Sequence, residues 1–258
     1  MADNQILRVG IIGCGEIAQV AHIPNLNFLP DKYRITYLCD VSKDALRHCA
    51  QMVQRSIPKI TTNAEELCAS KDVDVVLICS GDEYHVTQGI MALENDKWTL
   101  IEKPLAFCFR DYDALLAAEQ KSKGRVFVGT MRRFAPAFLE AVKEVGGMDK
   151  IMYARVRSII GPNTNFVNQS GTYPQKFTDY TPEDMEDRAR READIFGCAL
   201  KDEFGVAVTP EAISQLRILG RLVNCQLYSH SFQLTWHQAL TLTIFRRCGR
   251  SSACRDVA

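Results

Sequence analysis

A glycine-rich turn, Gly13-Cys14-Gly15-Glu16-Ile17-Ala18, directly follows the short apolar run Ile6–Ile12. The run is rich in β-branched residues, as strands of a parallel sheet buried on both faces are. Glycine at position 13 permits a tight turn, and glycine at 15 lets the backbone approach a phosphate with no side chain in the way. Ala18 stands where a third glycine is usual and still allows a helix to pack closely on the strand. The helix that starts here presents free N–H groups and the positive end of its dipole to an anion. A lone G-x-G-x-x-A would carry little weight. Placed between a strand and a helix, it is a fingerprint for the pyrophosphate of a dinucleotide.

The rest of the first half repeats the same alternation. Strands are expected at Tyr33–Cys39, Asp74–Cys79, Trp98–Ile101 and Arg125–Gly129. Helices are expected from Ser42, as cap, to Gln54, then over Glu83–Glu94, Asp111–Lys121 and Ala137–Glu144. The helix after the glycine turn is expected to be interrupted at His22-Ile23-Pro24. Strands alternating with helices at this spacing give an α/β fold with a doubly wound parallel sheet. After Gly146-Gly147 the pattern changes: Ile151–Ile159 alternates like a half-buried strand, and 161–182 reads as a long loop. Two more helices are expected, Pro182–Leu200 with acids in its first turn, and Pro210–Leu219.

Composition narrows the class. Charged residues are 24% of the chain and apolar ones 47%, ordinary for a globular protein, and no apolar run reaches the roughly 20 residues of a membrane span. With 31 basic and 31 acidic residues there is no chain-wide basic surface for nucleic acid. The start of the chain lacks the basic and apolar regions of a signal peptide. The ten cysteines are scattered with no C-x-x-C pair, so reduced thiols in a cytoplasmic protein are expected rather than disulfides or a metal site. Charge is not evenly spread, however. Residues 212–258 carry six arginines, one acid (Asp256), no lysine and no proline. This segment has no sustained periodicity, and from about residue 221 it reads as a departure from the native continuation of the fold, as a retained intron or frame shift would produce. A basic interaction tail is the alternative.

Two further positions carry chemistry. Asp40 ends the second strand 22 residues after Ala18, where a carboxylate can accept hydrogen bonds from the adenosine ribose and repel a 2′-phosphate. NAD is therefore expected, with Ser42 and Lys43 leaving NADP open. Glu102-Lys103-Pro104 follows a buried strand, so Lys103 sits at the carboxyl end of a parallel sheet, where ligands of such sheets bind. A lysine there can move a proton to or from a hydroxyl, although a solvated lysine is the simpler reading of the residue alone.

Together the GCGEIA turn, His22-Ile23-Pro24, the Ser80–His85 turn, the EKP tripeptide and Arg132-Arg133-Phe134 resemble the Gfo/Idh/MocA oxidoreductase family over residues 6 to about 220. The resemblance implies a Rossmann domain followed by an α+β domain with an open sheet, and members that are often homodimers. It implies hydride transfer between a nicotinamide cofactor and a hydroxyl-bearing carbon of a sugar, cyclitol or diol. It makes Lys103 the catalytic lysine. Gly13, Cys14, Gly15, Glu16, Ile17 and Ala18 would hold the pyrophosphate and Asp40 the ribose, while Ser80, His85, Glu102 and Lys103 would lie beside the cofactor. No metal is implied.

The chain departs from the family pattern at two points. Ser80-Gly81-Asp82 stands where many members have Thr-Pro-Asn, and the Asp and His that members carry four residues apart on a second-domain helix are missing. The D-x-x-x-H of Asp44 and His48 falls on the wrong helix and reads as a solvated face, and His230 and His237 have no acid nearby. The expected organisation is a nucleotide-binding domain over 1–134, the start of an α+β substrate domain over 135–220 that is incomplete in this chain, and an atypical tail over 221–258. The alternatives to an active dehydrogenase are a dinucleotide-binding protein that regulates through protein partners and an inactive product.

Overall fold

The computed structural model describes residues 6–146, 152, 163–169 and 171–223. Six strands form one parallel sheet: β1 (Leu7–Ile12), β2 (Tyr33–Cys39), β3 (Lys59–Thr61), β4 (Val75–Ile78), β5 (Trp98–Ile101) and β6 (Val126–Val128), in the order β3-β2-β1-β4-β5-β6. The winding reverses between β1 and β4, and the carboxyl ends of these two strands open the crevice in which such sheets bind ligands. Register places Ile12 beside Cys39 on one side and Ile78 on the other, so three strand ends meet there.

Burial on both faces explains the continuous apolar runs. Val9, Ile11, Ile35, Leu38 and Leu77 face one side, against Ile23 of α1 (the π-helical turn Ala18–His22 continuing as Ile23–Asn27) and Leu46 and Cys49 of α2 (Lys43–Met52). Ile12, Tyr37, Val76, Ile78 and Ile101 face the other, against α3 (Ala64–Ala69), α4 (His85–Glu94) and α5 (Phe109–Lys121). The seven described cysteines, from Cys14 to Cys198, are all buried as free thiols. No described helix is long and apolar enough to cross a membrane.

Several expectations are corrected. The chain does not break at His22-Ile23-Pro24: the π-helical turn runs into an α-helix with Pro24 in its first turn, where a missing N–H costs nothing. The short edge strand β3 and helix α3 escape the periodicity, since three mostly exposed residues leave no alternation to read. Asn63 starts α3 by accepting from the Glu65 N–H at 2.9 Å. Residues 163–169 of the expected loop are helical (α7, Asn163–Gln169). The alternating segment 151–159 lies outside the described residues except for Met152, as does the tail beyond 223, with His230 and His237.

The described residues fall into two compact units, 6–129 with 163–169 and 171–222, and 130–146 with 152 and 223. The second holds a 3-10 turn, Met131–Phe134, and α6 (Pro136–Val145), which ends on Gly146 at φ 74°. The segment after 163 thus groups with the sheet unit rather than with the residues that follow 134. An extended strap, 171–181, leads into α8 (Pro182–Phe196), which continues as a π-helical stretch, Gly197–Glu203. Thr181 and Asp184 form a capping box at its start. Ionic contacts dock α8 on the sheet unit: Arg188 Nε to Glu83 Oε1 at 2.6 Å, the Tyr84 hydroxyl donating to Asp187 at 3.1 Å, and Arg110 to Asp194 at 2.7 Å. Phe196 packs on Phe107 with ring centroids 5.1 Å apart. Arg217 of α9 (Pro210–Val223) lies over the same Phe196 ring.

Candidate functional site

The glycine turn is shaped by two different requirements. Gly13 has φ +95°, and a Cβ there would lie 2.5 Å from the backbone of Cys79 and Ser80. Only glycine lets the β1 and β4 loops approach this closely. At Gly15 an added Cβ would meet nothing within 4 Å, so the space over the loop is open. Glu16 and Ile17 begin the helix, Ala18 is fully buried against the strand, and Cys14 lies buried beneath the turn. An exposed, side-chain-free glycine at the head of a helix fits the pyrophosphate of NAD, in which backbone N–H groups carry the anion.

Asp40 is half-buried beside this turn. Its carboxylate accepts from the Cys14 N–H at 2.7 Å and from the Ser42 N–H at 2.8 Å. Burial raises its pKa above the ordinary carboxylate range, the two amides oppose that shift, and Asp179 and Asp184 add to it. The crevice next to it is lined by Gly13, Asp40, Thr62, Ser80, Tyr84 and Tyr180, among others. Gly13, Asp40 and Ser80, all expected at the cofactor, are thus brought together. Glu102 and Lys103 are not in this lining and sit instead at the end of β5.

At that second place Glu102 is held from three sides. Its N–H donates to Ile78 O at 2.9 Å, its Oε1 lies 2.9 Å from His22 Nε2, and its Oε2 accepts from the Lys103 N–H at 3.2 Å. Burial works against ionisation of Glu102, but the His22 contact outweighs it and holds the carboxyl below its usual range. For His22, burial disfavours the cation, while the Cys79 sulfur and the Glu102 carboxylate raise its pKa to about 10. The pairing ties the helix after the glycine turn to the strand end that carries Lys103. In the sequence His22 stands out only as part of a signature, because its partner lies 80 residues away.

The pair has a pH signature. Folding raises the His22 pKa, so its contribution is complete below about pH 6.5 and is lost as pH rises toward about 10. Folding lowers the Glu102 pKa, so its contribution is present above about pH 4.5 and lost as pH falls. His22→Gln is expected to cost about 3 kcal/mol at pH 6 and to flatten the decline of Tm between pH 6.5 and 10. Thermal melts across that range decide it. A variant whose Tm falls equally at every pH would show that the charge is not what His22 contributes.

His85 is buried rather than lining the crevice. Its Nδ1 lies 2.7 Å from Pro104 O and its Nε2 3.2 Å from Ser80 O. The shorter contact assigns the proton to Nδ1, which donates to the Pro104 carbonyl. His85 therefore ties the start of α4 to the loop that carries Lys103, and its other nitrogen, unprotonated, makes no hydrogen bond to the Ser80 carbonyl. Asp44 pairs with Arg47 on the outer face of α2, and His48 packs on Phe177 with ring centroids 5.6 Å apart. One further group draws together among the described residues: Cys108, Cys198 and Glu203. Both Glu203 oxygens accept N–H groups at the start of α5, from Phe109 at 2.9 Å and Arg110 at 3.0 Å, which accounts for the carboxylate as a helix cap.

Gln19 also escaped the sequence reading. It is buried, donating to Cys14 O at 3.0 Å and to Gln175 O at 3.1 Å, and accepting from the Gln175 N–H at 2.8 Å. It binds the glycine turn to the strap, a partnership across 156 residues that no local pattern announces.

Comparison with known proteins agrees with this geometry. Residues 7–130 match the oxidoreductase family with an NAD-binding Rossmann fold. An inositol 2-dehydrogenase/D-chiro-inositol 3-dehydrogenase of Shouchella clausii is 36% identical over 138 residues, 52% of this chain and 38% of that protein. A myo-inositol 2-dehydrogenase of Thermotoga maritima is 30% identical over 185 residues, 70% of this chain and 53% of that protein. The structure of myo-inositol dehydrogenase from Lactobacillus casei, in complex with NAD(H) and myo-inositol, shares the fold with a TM-score of 0.50 at 24% identity, over 55% of this chain and 42% of that one. The chain spans about half the length of the curated relatives it matches. Residues 7–130 of this chain thus carry the NAD-binding Rossmann domain of the Gfo/Idh/MocA oxidoreductase family.

Proposed function

We propose that the protein is a dehydrogenase that moves hydride between NAD and a hydroxyl-bearing carbon of a cyclitol, sugar or diol. The observation that carries this reading is the joining of two features on one sheet edge. One is an open glycine turn at the end of β1, and the other is Glu102-Lys103 at the end of β5, tied back to the helix after that turn by His22. Relatives named as inositol dehydrogenases support the substrate class. The seven buried free thiols support a reducing compartment such as the cytoplasm.

Gly13 and Gly15 shape the cradle for the pyrophosphate, and the N–H groups of the following helix turn face it. Asp40 orients the adenosine ribose through its hydroxyls. NAD, when bound, supplies the carbon that accepts or returns hydride. Lys103 Nζ takes the proton of the substrate hydroxyl in oxidation and gives it back in reduction. Glu102 and His22 position Lys103 through its backbone, and His85 holds the adjoining Pro104 carbonyl.

The test is a panel of inositols, pentoses, hexoses and vicinal diols, followed by NADH absorbance. At least one member is expected to give turnover that Lys103→Met lowers by about 10²–10⁴-fold while NADH affinity stays within twofold. Turnover that survives the substitution would remove Lys103 from the chemistry. A chain that binds NADH and oxidises nothing on the panel would overturn the dehydrogenase reading itself.

A further inference from the structure

The strap formed by residues 171–181 brings an acid to the amino end of α2, next to Tyr180 and Asp40 of the crevice. The Ser42 hydroxyl donates to Asp179 Oδ1 at 2.5 Å, and the Asp44 N–H donates to Asp179 Oδ2 at 3.1 Å. Ser42 is buried, and its oxygen in turn caps α2 by accepting from the Ala45 N–H at 2.9 Å. The Asp179 carboxylate therefore sits at the head of a ten-residue helix, on free amides that would otherwise receive an anion. These hydrogen bonds, with the Ser42 hydroxyl foremost, hold its carboxyl below the usual range. The strap is fixed in this place: Gln19 and Gln175 exchange side-chain and backbone hydrogen bonds, and Phe177 packs on His48.

The position matters because of what lies next to it. Ser42 is two residues past Asp40, and its N–H already serves the Asp40 carboxylate. Asp179, Asp184 and Asp40 are close enough for both of the first two to oppose ionisation of the third. The nearest donors to a phosphate on the 2′-oxygen of an adenosine ribose held by Asp40 would be the amides at the start of α2 and the Ser42 hydroxyl. Both are taken by an internal carboxylate. We infer that Asp179 is a specificity-determining residue that excludes the 2′-phosphate of NADP(H), acting as a built-in anion at the amino end of α2. This rests on the reading of the crevice as a dinucleotide site. Asp40 alone rejects the phosphate by like charge. Asp179 adds removal of the donors and a second negative charge at about the same place.

Titration calorimetry of the full chain with NADH and with NADPH tests the inference, using Asp179→Asn and Asp179→Ser beside the parent. The parent is expected to favour NADH at least a hundredfold. Either substitution should reduce that ratio about tenfold or more, by tightening NADPH while NADH stays within threefold. Asp179→Glu, which keeps the charge, should retain most of the preference. A ratio unchanged in both neutral variants, with NADH still bound, would remove Asp179 from cofactor selection and leave the dinucleotide reading intact. Equal weakening of both cofactors would assign the strap a purely structural role and overturn the inference. A parent that binds neither would overturn the dinucleotide reading, and this inference with it.

Discussion

Replacing Gly13 by valine lowers the Tm of the purified chain by roughly 10 °C, whether or not a cofactor is added. Two costs combine. The backbone at this residue has φ +95°, a region that a β-branched side chain enters at a cost of about 1–2 kcal/mol. The new Cβ would also lie 2.5 Å from Cys79 C and Ser80 N, which are backbone atoms of the β4 loop and not the movable end of a side chain. Relief requires the β1 and β4 loops to part, and overpacking of that kind costs about 1–3 kcal/mol more. Those loops also carry the Gly13 N–H bond to Cys39 O at 2.8 Å and the Cys79 N–H bond to Ile12 O at 2.7 Å, so the damage reaches the strand ends that form the crevice. Gly13→Ala should lose less. Melts followed by circular dichroism measure both, and a valine variant as stable as the parent would contradict the close approach of the two loops.

Gly15→Val has the opposite profile. A Cβ there touches nothing within 4 Å, and no left-handed backbone has to be accommodated. Stability should stay within about 0.5 kcal/mol of the parent, as for other exposed substitutions free of special contacts. NADH affinity should fall at least a hundredfold, about 2.7 kcal/mol, because the isopropyl group occupies the space through which the pyrophosphate reaches the helix amides. Calorimetric titration and a melt of the same sample separate the two effects. Retained NADH binding would place the pyrophosphate elsewhere. The two glycines stand two residues apart and look alike in sequence, yet the fold requires one and leaves the space over the other open.

Much of the fold can be read before any coordinates. The apolar runs that become β1, β2, β4 and β5 are continuous because both faces of the sheet are covered, and the helices between them start at recognisable caps such as Ser42. The glycine turn, Asp40 and Lys103 are legible for a related reason, since each follows the end of a strand and the strand fixes where it emerges. What could not be read shares a different cause. His22–Glu102, Gln19–Gln175, Ser42–Asp179 and Glu83–Arg188 join residues 80 or more apart in the chain, and each member looks like an ordinary polar residue in its own neighbourhood.

The strap and α8 show the same limit. A stretch rich in Gly, Pro, Asn, Ser and Thr before a charged helix reads as loop and helix, and nothing local says that Tyr180, Asp184 and Arg188 will line the crevice. The sequence by itself determined the class of fold and the placing of the glycine turn and of Asp40 at the ends of β1 and β2, because those depend on local periodicity, backbone freedom and the order of strand, turn and helix. Only the tertiary structure decided that His85 is a buried clamp, that His22 holds Glu102, and that an acid from residue 179 covers the amino end of α2. Those depend on pairings between distant segments, and such pairings form when burial makes an unsatisfied charge or amide too costly to leave alone.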